Sequence, residues 1–203
     1  WWSVGDTKSV TINGKVGATT ISSLKVDAFI IGFNHNSGKE GSNRIHFLLG
    51  KISGKFVGLV DSSYGSTTST SGAFTMNTSN TNSGGWGSSQ MRSKVLGSAS
   101  SPTSPTANTL MAALPSDLRA VMKSCTKYTD NNGGGNTASN VSSTTDYLFL
   151  LSEYEVFATH QYCNDAEPNY QAQYDYFKAG NSKVANKHSA TGTAAVWWLR
   201  SPN

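Results

Sequence analysis

Three constellations in this chain have residue types and spacing suited to chemistry. His160-Gln161-Tyr162-Cys163 sets an imidazole and a thiol three positions apart. That is the spacing of two metal ligands on one helical turn, and His35, His46 or His188 would add a third donor. Structural zinc sites usually carry two such pairs, and the sequence holds one, so the motif reads as a helix end with an ordinary histidine and a buried cysteine. Ser152, His160 and Asp165 assemble a hydrolytic triad on paper. No Gly-x-Ser-x-Gly elbow surrounds that serine, and Ser152-Glu153-Tyr154-Glu155 is a capping box that gives Ser152 and Glu155 structural roles. Arg92 and Arg200 each follow an indole, Trp86 by six residues and Trp198 by two. A guanidinium stacks on an indole and pairs a carboxylate with its fork. Asp146, Glu153 and Glu155 are the candidate partners. In a loop-heavy chain this reads as pinning of the core edge, so Trp86, Arg92, Trp198 and Arg200 are expected to be scaffold residues.

Glu167-Pro168-Asn169 matches a tripeptide with which calcium-dependent lectins hold sugar hydroxyls, but the Trp-Asn-Asp that should follow is missing. Proline beside glutamate in a first helical turn explains the match, and a calcium site needs more oxygen ligands than this stretch offers. Gly133-Gly134-Gly135 is not followed by Lys-Ser or Lys-Thr on a helix, so it is no phosphate loop. No general base, nucleophile, metal set or cofactor motif stands out, and the chain reads as a non-enzyme.

The elements that must position these residues read as α+β. Residues 1–62 are β-rich: a small hairpin around Val10-Thr11-Ile12 with turn signals at Gly5-Asp6-Thr7 and Asn13-Gly14-Lys15, then strands at Val26–Phe33, Arg44–Leu49 and Phe56–Val60. Residues 63–85 are a polar loop. Residues 86–203 hold an α+β core. Ser88 is expected to cap a helix through Met91, Val95 and Leu96. Leu114, Leu118, Val121, Met122 and Cys125 fall on one helical face. Residues 129–145 read as a loop, Tyr147–Leu151 as a buried strand, Glu167–Lys178 as a helix, and 194–200 as a closing strand. In that strand Trp197 and Trp198 face opposite sides.

Composition narrows the function classes. Hydrophobic residues make up 36% of the 203 and charged residues 14%, while Gly alone counts 20, so the surface is rich in uncharged polar groups. Aromatics at 10% and a net charge of +4 argue for a folded chain rather than a disordered one. Such surfaces are common on secreted proteins, virion fibres and adhesins. Lys8, Lys15, Lys25, Lys39, Arg44, Lys51 and Lys55 are spaced singly, which excludes the dense positive patch that nucleic acid requires. No apolar run approaches the length of a membrane span. Cys125 and Cys163 are either one bridge or two buried thiols.

Several motifs, in order, resemble an uncharacterised domain family of gut Firmicutes and their phages. They are Trp2-Ser3-Val4-Gly5-Asp6-Thr7, Ile31-Gly32-Phe33-Asn34-His35, Gly85-Trp86-x-x-Ser89-x-Met91-Arg92, Leu114-Pro115-x-x-Leu118, Leu148-Phe149-Leu150-Leu151-Ser152-x-x-Glu155-Val156, Tyr174-x-Tyr176-Phe177 and Trp197-Trp198-Leu199-Arg200-Ser201-Pro202. The resemblance implies a C-type-lectin-like fold with short strands, a few helices and long loops. Related folds are the variable proteins of diversity-generating retroelements, some of which choose a host receptor at a phage tail tip, and formylglycine-generating enzymes. The latter hold copper with a cysteine pair near the end of the fold. Cys125 and Cys163 precede the closing Trp pair, so that activity does not carry over. In the variable proteins the Trp-Leu-Arg-Ser-Pro strand leads into an Asn- and Ser-rich display stretch and a final strand. The chain is therefore expected to be a single lectin-like domain, 1–203, within a longer protein, lacking its last strand, with Trp197 and Asn203 nearest the ligand. The expected role is a receptor-binding or adhesion module on a phage tail or cell surface. Its partners would be a host-surface protein or glycan, neighbouring virion or surface proteins, and other copies of itself. A structural virion domain is the second expectation.

Overall fold

The computed structural model describes residues 1–59 and 74–202. Residues 63–73 of the expected polar loop, Val60 of the fourth expected strand, and Asn203 lie outside the described residues. The rest is a mixed arrangement of small antiparallel sheets and short helices, as the α+β reading requires.

The largest sheet has four strands in the order β1 (Thr7–Val16), β2 (Thr19–Phe33), β3 (Ile45–Ile52) and β4 (Lys55–Phe56), all antiparallel. Val10, Ile12 and Val16 carry the buried face of β1. The expected turn at Asn13-Gly14 is instead a register shift inside that strand, and the chain reverses after Val16, at Gly17-Ala18. Apolar alternation continued past Asn13, and burial of Val16 outweighed the local turn signal. Along β2, residues 28 to 31 are all buried. Ala28 and Val26 join one core, with Trp86, Met91, Val95, Leu110 and Leu114. Phe29 and Ile31 point the other way, into a second core with Leu151, Val156, Tyr174 and Phe177. The strand is the wall between two cores, which is why its sequence reads as a continuous apolar run.

The helices are short: α1 (Ser37–Glu40), α2 (Gly85–Ser88), α3 (Leu110–Ala113), α4 (Ser116–Val121), α5 (Glu153–Phe157) and α6 (Asp175–Lys178), with a π-turn over Met91–Leu96 and 3₁₀ turns at Ala138–Asn140 and Glu167–Tyr170. Two small hairpins complete the described residues: β5 (Cys125–Asp130) with β6 (Val141–Asp146), and β7 (Ala185–Lys187) with β8 (Ala190–Ala195).

Several expectations are corrected here. The helical face from Leu114 to Cys125 breaks at Met122, which is extended; Val121 is 72% exposed and Cys125 opens a strand. The expected loop at 129–145 contains the end of β5 and all but the last residue of β6, whose Ser- and Thr-rich stretch pairs in register and overrides weak local propensity. Ser88 caps nothing: Gly84 precedes α2, and it is Ser89 whose Oγ accepts the Arg92 amide at 3.1 Å. The expected 167–178 helix splits where Gln171 is extended. Residues 147–151 pair in no ladder, and the closing strand ends at Ala195. Gly85 is required where it stands. Its φ is +51°, and a Cβ there would lie 2.2 Å from the Asp130 carbonyl oxygen, so α2 presses backbone to backbone on the end of β5.

Candidate functional site

Two features stand out: a sealed polar cluster between the cores and an open groove beside the last described residues.

The cluster is built around Glu155. Ser152 caps α5 in the expected manner, its Oγ accepting the Glu155 amide at 3.1 Å while the Glu155 side chain accepts the Ser152 amide at 2.9 Å. The same carboxylate takes the fork of Arg200, with Nη1 to Oε2 at 2.6 Å and Nη2 to Oε1 at 2.8 Å. Lys127 Nζ donates to Glu155 Oε1 at 2.9 Å, to Glu40 Oε2 at 2.6 Å and to the Tyr174 hydroxyl at 2.9 Å. Arg200 also donates to Thr129 Oγ1 at 2.9 Å and to the Leu150 carbonyl at 2.7 Å, and its own amide bonds the Leu151 carbonyl. Residues 199–201 are thus tied to the start of α5 without any strand ladder. Glu155, Lys127 and Arg200 are at most 1% exposed. Burial pushes Glu155 up, but Arg200 and Lys127 outweigh it and hold the carboxyl well below the usual range.

Imidazoles complete the cluster. His46 Nδ1 lies 2.8 Å from the Tyr174 hydroxyl, and His35 stacks on the Tyr174 ring with centroids 3.6 Å apart. Burial lowers His35 to about 3, and burial together with Lys127 lowers His46 to about 4. Burial raises the Cys125 thiol to about 12. One donor atom each from Glu40, His46 and Cys125 lies within 4.8 Å of the others, and the same holds for His35, Glu40 and Glu155. Glu167 stands one step further out: it accepts the Asp130 amide at 2.7 Å, the Gln171 side-chain amide at 3.0 Å and the Ser201 hydroxyl at 2.5 Å. The Glu167-Pro168-Asn169 match is therefore a first turn whose carboxylate faces inward, with proline at its start.

The expected arginine partners are present for both residues. Arg92 Nε and Nη2 each lie 2.9 Å from Asp146 Oδ1, and Trp86 Nε1 donates to Asp146 Oδ2 at 2.9 Å. Trp86, Arg92, Arg200, Ser152 and Glu155 all hold scaffold positions. Glu153 pairs with neither arginine; its carboxylate accepts the amides of Gln161, Tyr162 and Cys163. His160 pairs with Asp165 at 3.0 Å on the surface, while Ser152 is fully buried and bonded to Gln171, so no triad forms. Cys125 and Cys163 are both free and buried.

The groove has a volume of about 1260 Å³. It is lined by Phe74–Asn77, Ser79–Asn82, Gly85, Glu153, Phe157, Thr159, Gln161, Tyr162 and Trp197–Pro202. Trp197 and Trp198 lie beyond the end of β8 and both line the groove, with their expected roles exchanged. Trp197 packs edge-on against Phe56, centroids 5.2 Å apart, and joins the second core. Trp198, expected as a support, is 53% exposed, as are Tyr162 at 52% and Phe157 at 42%. Three half-exposed rings and a row of amides line one concave surface.

Sequence reasoning missed Glu40, His35, His46, Lys127, Thr129 and Tyr174 as one cluster. The signal was available in β5: read as a strand, its period of two puts Cys125, Lys127 and Thr129 on one buried face. Among the described residues no helix is long and apolar enough to cross a membrane. No curated protein and no solved structure matches the chain. A family model does match, over residues 66–203, so the β1–β4 sheet lies outside the matched region. The chain belongs to the family described as Domain of unknown function (DUF6273).

Proposed function

We propose that this chain is a non-enzymatic recognition domain, a receptor-binding or adhesion module of a phage tail or cell-surface protein on a C-type-lectin-like scaffold. The groove carries the reading. Its half-exposed Trp198, Tyr162 and Phe157 offer large rigid contact area at low entropic cost, and Asn80 and Gln161 add side-chain amides to the lining. The titratable groups of the polar cluster are buried away from it, with Glu155 bonded to Lys127 and Arg200. Rigid support for an exposed surface is what the Arg200–Glu155 clamp supplies. The partner is a protein or glycan on a host surface, met through shape and aromatic contact. The test is retention of the labelled full chain on gut Firmicute cells before and after protease or periodate treatment. Loss after one treatment identifies the partner class; no retention on any host cell refutes the reading.

One observation favours the second reading, a structural virion domain. Phe33, Ile45 and Phe47 are 37 to 48% exposed on neighbouring strands of the large sheet, with Phe33 paired to Ile45. Such a strip suits packing against another virion protein or another copy of this chain. Phe47→Glu would abolish that assembly and leave cell binding intact.

A further inference from the structure

The sealed cluster has two unmet needs. The Nε2 atoms of His35 and His46 are buried and have no hydrogen-bond partner, although the two residues are only 6% and 5% exposed. An unpaired buried polar atom costs about 1–3 kcal/mol. Two of them in one cluster call for a partner that the surrounding polypeptide does not supply. The cluster is also rich in carboxylates: Glu40, Glu155 and Glu167 stand against Lys127 and Arg200, and burial pushes both Glu40 and Glu167 up.

The donors fit one kind of ion. Glu40, His46 and Cys125 offer carboxylate oxygen, imidazole nitrogen and sulfur within 4.8 Å of one another, from the end of α1, from β3 and from the first residue of β5. Lys127 holds Glu40 Oε2, which leaves Oε1, bonded to Asn36 Nδ2 at 3.3 Å and lying 3.7 Å from His35 Nε2. The Tyr174 hydroxyl at His46 Nδ1 is the oxygen partner that orients a metal-bound imidazole. A divalent ion that displaces the Cys125 thiol proton adds one unit of positive charge where carboxylates are in excess. Zinc takes these three donor types in four-coordinate sites that are closed when structural.

We propose that Cys125, His46 and Glu40 form a buried zinc site that locks α1, β3 and β5 together. The site is independent of the groove and of what the groove binds. His160 and Cys163, the pair with ligand spacing in the sequence, take no part.

The experiment refolds the full chain from denaturant with zinc or cobalt(II), removes free metal and counts what remains. One ion per chain is expected, with Tm raised by roughly 5–10 °C at metal a hundredfold above Kd. The cobalt form should show a thiolate-to-metal charge-transfer band that Cys125→Ser removes and Cys163→Ser keeps. A wild-type chain that retains no metal overturns the proposal. So does cobalt bound without a thiolate band, whether or not the variants fold. Metal held equally by Cys125→Ser and His46→Gln places the ion elsewhere and also overturns it.

Discussion

Replacing Glu155 by glutamine tests the clamp at its centre. The two side chains are nearly equal in size, so no cavity opens. The carboxylate accepts four hydrogen bonds, two from Arg200, one from Lys127 and one from the Ser152 amide. Glutamine keeps one acceptor oxygen and turns an amide donor toward a buried cation. Breaking a buried ion pair from one side costs about 3–5 kcal/mol, and the lost half of the capping box adds about 0.5–1 kcal/mol. The sum, about 4–6 kcal/mol, is a large share of the 5–15 kcal/mol typical of a domain. Urea unfolding followed by tryptophan fluorescence should show that loss with an unchanged m value, and Tm should fall by roughly 10–20 °C. Glu155→Leu combined with Arg200→Met removes both charges and should recover at least 2 kcal/mol of it. A Glu155→Gln variant within 1 kcal/mol of wild type would refute the reasoning, because the carboxylate would then not be the sealed anion that both cations require.

Other outcomes follow from the same geometry. In the metal-free chain His35 and His46 are held neutral in the fold at about 3 and about 4, below the ordinary histidine value. The unfolded chain therefore binds more protons below about pH 6.5, and stability should fall with pH through that window, by about 3–6 kcal/mol at pH 4; urea titrations at pH 7, 5 and 4 check this, and a flat profile contradicts it. Trp86→Phe leaves Asp146 short of one donor and should cost about 2–3 kcal/mol, whereas Trp198→Ala, on a half-exposed ring, should cost under about 1 kcal/mol in the same assay. Both thiols are buried and raised, so a thiol reagent should leave the native chain unmodified and react with two cysteines per chain after denaturation. Rapid native labelling would show that Cys125 or Cys163 is accessible.

Some of the fold and site was legible in the sequence because a local rule carried the signal. The capping box at Ser152 belongs to this group, and the acidic partners of Arg92 and Arg200 fall within the candidate set of Asp146, Glu153 and Glu155, which the sequence leaves unassigned. The failures share a physical cause. β5 and β6 are polar strands whose pairing is set by the partner rather than by apolar alternation, so a stretch such as Val141-Ser142-Ser143-Thr144-Thr145-Asp146 looks like loop. Residues 147–151 are apolar yet pair in no ladder, because they lie between two cores and Arg200 bonds their carbonyls instead. The cluster of His35, Glu40, His46, Lys127 and Tyr174 joins positions up to 139 residues apart. No spacing rule reaches across that distance. The sequence groups His46 with the His160 and Cys163 pair as a third donor; in the fold it lies near Cys125, because β5 brings that thiol inward.

The central claim is that the aromatic groove, and not the polar cluster, meets the partner. The most direct measurement is the equilibrium Kd of the full chain for intact host cells, compared between wild type, Trp198→Ala and Tyr162→Ala at matched Tm. The account predicts saturable binding that weakens at least about tenfold in each variant, the loss expected for an aromatic anchor worth more than about 1.4 kcal/mol. Saturable binding that neither substitution alters would contradict it.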